Sequence, residues 1–252
     1  MIKKSILAIF LSILLLLVGC AEEGSDADLP GAIDETLPAA IETWIENSLT
    51  TFIGQSYSYD DQLYILVTYG MKPTGGYAVE ISDVEITDDR VIVRATFRVP
   101  GEDEMVTEAL TYPYDLTVIK NPGLPVEFVA EGAESYLPTL YGLDHLNPIT
   151  AESQWIKIVK PAPGEAVNHS FTVEGIANVF EGTVNYSLTA PTDHILTEGF
   201  TMGAMGDWGY FSFEIDITAD IESGTPLLLE LYTLSPKDGS VQDLLQIELS
   251  AP

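Results

Sequence analysis

Cysteine is all but missing from this sequence. A single thiol, Cys20, occurs in 252 residues, which excludes an intramolecular disulfide and any cysteine-based metal site. Cations are also scarce: ten lysines and arginines stand against 39 aspartates and glutamates, for a formal net charge of −29. Binding phosphate requires clustered lysine and arginine, so nucleic acid is excluded as a partner and anionic lipid headgroups are repelled. Only three histidines occur, His145, His169 and His194, and none has a partner at motif spacing. The signatures His-Glu-x-x-His, Gly-x-Ser-x-Gly and the Walker loop are all absent. Asp60-Asp61 and Asp88-Asp89 stand in turn-like contexts without calcium-loop spacing, and they read as solvated caps. No catalytic residue, metal or cofactor is therefore expected.

What is present begins with an address. Lys3 and Lys4 precede an apolar run from Ile6 to Val18 that is broken only by Ser12, and Leu17-Val18-Gly19-Cys20 follows. The run is too short to serve comfortably as a membrane-spanning helix of the mature chain and has the layout of a secretory leader. Its last four residues resemble the bacterial lipobox. The resemblance implies that residues 1–19 are a lipoprotein signal peptide and that the Cys20 thiol carries lipid, anchoring the chain to the extracytoplasmic face of the bacterial cell membrane. Two or more acyl chains hold a protein there stably, at about 0.8 kcal/mol per buried CH₂. Loss of Lys3 and Lys4 leaves eight cations against 39 acids. Residues 20–36 are acidic, small and punctuated by Gly24, Pro30 and Gly31, the composition of a solvated tether.

The remainder is long enough for two small domains, and the expected fold class is mainly β, a small α+β module followed by an immunoglobulin-like sandwich. In the first module, residues 37–125, the apolar positions Ala40, Ile41, Trp44, Ile45, Leu49 and Phe52 recur at three and four. They predict an amphipathic helix ending near Gly54. The period then changes to two. Leu63, Ile65 and Val67, then Tyr77, Val79 and Ile81, then Val91, Val93 and Ala95 predict strands, with Thr87-Asp88-Asp89 as a turn and a further strand over Tyr112–Ile119. About four strands are expected. Residues 126–151, interrupted by Gly132, Pro138, Gly142 and Pro148, read as an interdomain linker, part of which packs on a domain or forms a short helix.

Lys72-Pro73-Thr74-Gly75-Gly76-Tyr77, then Pro100-Gly101, then Met105 to Tyr114 (MVTEALTYPY) resemble the C-terminal domain of the protease complex subunit PrcB family. The resemblance covers roughly residues 60–120 and implies an association with lipoproteins that accompany secreted or surface proteases. Read physically, Gly75-Gly76 permits a tight turn into the strand at Tyr77, with Pro73 stiffening its entry. An anion-binding nest of amides is the alternative, and Lys72 is the one cation beside it.

Residues 152–252 show seven short β segments: Trp155–Lys160, Ser170–Ile176, Gly182–Thr189, Ile195–Met202, Gly209–Ile217, Leu227–Leu234 and Val241–Leu249. That is the layout of an immunoglobulin-like sandwich, here without the inter-sheet cysteine pair. The segments Val179-Phe180-Glu181-Gly182, Trp208-Gly209-Tyr210-Phe211 and Asp238-Gly239-Ser240 resemble the immunoglobulin-like domain of bacterial spore germination proteins. This implies fold and an extracytoplasmic setting.

A lipoprotein without catalytic residues acts through a surface. The expected function is to bind and position or stabilise another envelope or secreted protein, a protease first. Tyrosine gives large contact area at low entropic cost. Tyr57 and Tyr59 precede the first clear strand and Tyr112 and Tyr114 bracket a proline suited to a sheet edge, so these four are the candidate partner-binding residues. The rival readings are a structural or germination-related protein of the spore or cell envelope, and a carboxylate-dependent hydrolase.

Overall fold

The computed structural model describes residues 37–192 and 194–251. The leader, the tetrapeptide ending at Cys20 and the acidic 20–36 segment lie outside the described residues. Among the described residues, no helix is long and apolar enough to cross a membrane.

The first module is layered around one strand. Helix α1 (Ala39–Ser48) buries Ile41, Trp44 and Ile45, the face its spacing predicted, but it stops earlier than expected. Phe52 belongs instead to β1 (Phe52–Tyr59), a strand not expected from the sequence. Its odd positions read Ile53, Gln55, Tyr57, Tyr59, and the amide in the second place interrupts the apolar alternation that would have revealed it. That amide is buried and hydrogen-bonded at both its oxygen and its nitrogen. Gln55 Oε1 accepts hydrogen bonds from Trp44 Nε1 (3.1 Å) and the Leu146 amide (3.2 Å), while Gln55 Nε2 donates to Ser48 Oγ (2.9 Å).

Strand β2 (Gln62–Tyr69) is buried along nearly its whole length. Tyr64 and Leu66 pack with α1, whereas Leu63, Ile65, Val67 and Tyr69 meet the opposite sheet. Burial on both faces explains its unbroken apolar run. Around it lie β3 (Ala78–Ile86), β4 (Val91–Arg98), β5 (Tyr114–Lys120) and β6 (Val126–Gly132). The two three-stranded sheets have the orders β1-β2-β5 and β3-β4-β6. All pairs are antiparallel except β4 with β6.

Strand β6 corrects the expected linker. Residues 126–132 complete a sheet of the first module, and β7 (Leu140–Tyr141) pairs in parallel with a strand of the second. No helix forms between them. The prolines and glycines that suggested a loose connection mark turns between built elements. Gly132 shows the constraint: its φ is +82°, and a Cβ there would collide with the Phe97 carbonyl oxygen, so only glycine ends β6 without strain.

The second module contains β8 (Ala151–Glu152), β9 (Ile156–Lys160), β10 (Ser170–Ala177), β11 (Thr183–Ala190), β12 (His194–Met202), β13 (Trp208–Asp216), β14 (Pro226–Leu234) and β15 (Val241–Ser250). All seven expected strands are present. They form a five-stranded sheet, β7-β13-β10-β9-β8, facing a four-stranded sheet, β12-β11-β14-β15. One continuous apolar cluster fills the space between, from Ile156 and Val173 on one sheet to Leu229 and Ile247 on the other.

The modules share a smaller core. Ile53 of β1, Leu146 of the connecting segment, and Ile176 and Trp208 of the sandwich form one buried cluster. Hydrogen bonds cross the same seam: Trp208 Nε1 donates to the Phe52 carbonyl (3.2 Å), and Thr50 Oγ1 donates to Glu152 Oε2 (3.1 Å). The Gly54 amide donates to the Pro138 carbonyl and the Trp208 amide to that of Thr139.

Candidate functional site

The four candidate tyrosines separate into two pairs. Tyr57 and Tyr59 are half-buried in the cluster under α1. Tyr57 stands edge-on to Trp44 at 5.5 Å and stacks on His145 at 4.2 Å. Their expected place on a free surface is thus corrected, because they belong to a strand whose odd face packs against the helix. Tyr112 and Tyr114 are exposed, at 38% and 49%. Tyr114 opens β5, an edge strand, but the edge is not wholly bare: Asp115 Oδ2 accepts the Ile81 amide of β3 at 2.7 Å.

The two segments that carry the PrcB resemblance bind each other. Lys72 and Thr111 exchange both backbone hydrogen bonds, at 2.9 and 3.0 Å, Thr111 Oγ1 donates to the Thr74 carbonyl, and the Gly75 amide donates to the Thr107 carbonyl. Gly76 takes φ +85°. The glycine pair is therefore a turn, and the Gly75 amide that an anion nest would need is already spent.

This docking holds Lys72 over aromatic rings. Its Nζ lies 3.5 Å from the Tyr69 ring centroid, 5.6 Å from that of Tyr77 and 5.8 Å from that of Phe52. Burial lowers the ammonium pKa, opposed by attraction to Glu134. Tyr69 OH donates to Glu134 Oε1 at 2.7 Å. Burial, and then that carboxylate, push the phenol pKa up.

Lys72 lines a cleft of about 580 Å³ at the seam between the modules, with Phe52 and Tyr69 on one side and Trp155, Lys157 and Trp208 on the other. Lys157 is buried, ion-paired with Glu152 and 5.4 Å from the Trp208 ring. Trp155 is 43% exposed. Its wall is fixed by Asp243, which accepts the amides of Gln154 (3.1 Å) and Trp155 (2.9 Å) and the Ser153 hydroxyl (2.9 Å). Thr51 Oγ1, on the floor, is buried without a hydrogen-bond partner among the described residues. Sequence reasoning met Lys72 only as a lone cation beside a turn and missed the cleft. Scarcity was the available signal, since two of the eight cations of residues 20–252 meet here.

A second groove, about 660 Å³, lies between β1 and β6 and is lined by Ser56, Ser58, Asp144 and His145 among others. These residue types could form a nucleophile-base-acid relay, which requires hydrogen bonds linking them. None links them here. His145 Nδ1 is buried without a partner, and Ser58 Oγ accepts Asn121 Nδ2 at 3.1 Å. Among the described residues, no group of three or more histidine, cysteine, aspartate or glutamate side chains is arranged to hold a metal ion.

Comparison with known proteins agrees with the two motif sets. No curated protein matches the chain. Among solved structures, a glycosyl hydrolase family 2 member from Bacteroides cellulosilyticus aligns with 75% of this chain and 27% of its own, at 11% identity and a TM-score of 0.28. The chain thus spans about a quarter of that enzyme's length. Residues 63–120 match the family model described as PrcB C-terminal, and residues 155–240 match that of the immunoglobulin-like domain of bacterial spore germination. In chain order, then, a segment that matches the PrcB C-terminal model is followed by one that matches the immunoglobulin-like domain of bacterial spore germination.

Proposed function

We propose that this chain is a non-catalytic lipoprotein, held through acylated Cys20 at the extracytoplasmic face of the bacterial cell membrane, that binds and positions or stabilises another extracytoplasmic protein. A secreted protease is the first partner to test. The observation that carries the reading is the PrcB C-terminal match over residues 63–120, a family named for a protease complex. The joint between the modules supports it: a shared core and crossing hydrogen bonds give a stiff body whose cleft draws residues from both, which suits positioning better than a flexible pair of beads would.

Two measurements test this reading. Cys20→Ser should release the protein from membranes or leave it unprocessed, and substituted protein that is still processed and membrane-bound would overturn the anchor. Affinity capture from envelope extracts with the full chain should recover a secreted or surface protease. Recovery of cortex or coat components without a protease would favour the structural or germination-related reading, which the match over residues 155–240 supports.

A further inference from the structure

The seven ion pairs among the described residues engage Arg90, Arg94, Arg98, Lys157 and Lys160. Lys120 and Lys237 are exposed to water. Lys72 has neither resource. It is half-buried, its nearest companions are aromatic faces, and among the described residues no carboxylate lies within ion-pair reach and no acceptor takes a hydrogen bond from it. An ammonium carries three donors, and a ring face occupies one side of it only. Glu134 attracts this ammonium from beyond ion-pair distance and is itself bonded to Tyr69 OH, and Glu152 of the same wall is paired with Lys157, so the cleft holds a half-buried cation with no carboxylate in direct contact, a place that a carboxylate supplied from outside would fill.

We propose that the cleft at the seam docks an extended peptide segment of the partner by seating one aspartate or glutamate side chain on the Lys72 ammonium, with a neighbouring apolar residue against Trp155. The choice of a side-chain carboxylate follows from the amides. A chain-terminal carboxylate is usually captured by a nest of backbone N–H groups, but here the amides of Lys72 and Ser153 are bonded to the carbonyls of Thr111 and Ile156, and those of Gln154 and Trp155 to Asp243. What is left is a single point charge, which suits one carboxylate without bidentate geometry. The surroundings set the number. Glu152 stands in the same wall, already paired with Lys157, and the chain as a whole is strongly negative, so a polyacidic segment is repelled and a lone acid among apolar residues is accepted.

For its biological partner this inference rests on the accessory reading above, but its chemistry is testable without that partner. The full chain labelled with ¹⁵N in its three tryptophans provides its own control, because Trp155 and Trp208 line the cleft while Trp44 lies under α1. An end-capped pentapeptide with a central glutamate between leucines should shift the Trp155 and Trp208 indole signals and leave that of Trp44 in place. The matched glutamine peptide should bind about tenfold more weakly, the scale of one charge-assisted hydrogen bond. Lys72→Met should abolish the difference between the two peptides, and Lys72→Arg should retain part of it. Equal binding of both peptides, or no indole shift at millimolar concentration, would overturn the proposal. So would a glutamine peptide with a free C-terminus that binds as well as the capped glutamate peptide. Because the glutamate-to-glutamine comparison uses the unsubstituted chain, it decides even if Lys72→Met fails to fold. Capture of the same protease by wild type and Lys72→Met alike would reject the cleft and keep the accessory reading; selective peptide binding with no protease captured would do the reverse.

Discussion

The immunoglobulin-like module fills the space between its two sheets with one cluster that runs from Ile156 to Ala251. The first module spreads its burial over three smaller clusters, one under α1 and two between its sheets, and needs Phe128 and Leu137 from the connecting segment to finish the latter two. A two-layer sandwich can close on itself because each strand contributes only one face. A module built on a strand buried on both faces has more apolar surface to cover than 37–125 can cover alone. The connection between the domains is therefore part of the first module's structure.

The largest effect should come from cutting the chain. A fragment of residues 37–125 lacks β6 and Leu137 and should show no cooperative thermal transition by far-UV circular dichroism, whereas residues 150–252 should keep one. Two cooperative fragments would erase the asymmetry. Trp208→Ala in the full chain should cost about 3–5 kcal/mol, the usual loss for a buried tryptophan. With Trp155→Phe added, Trp44 is the one tryptophan left, and urea unfolding should then report different midpoints for its fluorescence and for circular dichroism as the modules uncouple.

Glycine substitutions sharpen the same contrast at smaller scale. Gly132 of the first module and Gly164 of the second both have φ near +80°, but a Cβ at 164 meets nothing while one at 132 strikes the Phe97 carbonyl. Gly164→Ala should cost about 1 kcal/mol, and Gly132→Ala about 3 kcal/mol, measured as urea midpoints. The smallest effect concerns pH. Tyr69 has its phenol pKa raised in the folded chain by burial and then by Glu134, so its contribution is complete below the unfolded value of about 10 and is lost as pH rises above it. Tyr69→Phe should remove this alkaline softening, at about 1 kcal/mol in neutral solution. Lys72 acts with opposite sign, since its lowered pKa makes stability rise as pH climbs from the folded towards the unfolded lysine value. The Tyr69 comparison is therefore cleanest in a Lys72→Met background.

Much of the architecture was legible because it is local. Alternation placed β2 to β5 and all seven strands of the sandwich, and the three-four spacing placed the buried face of α1. Strand β1 escaped because Gln55 stands in its apolar row, and a buried amide is acceptable only where partners such as Trp44, Ser48 and the Leu146 amide surround it. The same limit applied to β6. Its sequence, Val126 to Gly132, alternates only weakly, and its pairing partner β4 lies across a parallel crossover.

The candidate site was least legible of all. Tyr57 and Tyr59 read as surface residues until β1 turned them towards α1, and Lys72 read as an ordinary cation beside a turn until Phe52, Tyr69 and Trp155 were brought around it. By itself the sequence determined the two modules, their order and most of their strands, because hydrophobic period and turn chemistry act between near neighbours. Only the tertiary structure decided which tyrosines stay exposed, that the supposed linker is built into both modules, and that one lysine has no described carboxylate within ion-pair reach. Burial and charge pairing are set by residues brought together from distant parts of the chain, and no local pattern records who those neighbours will be.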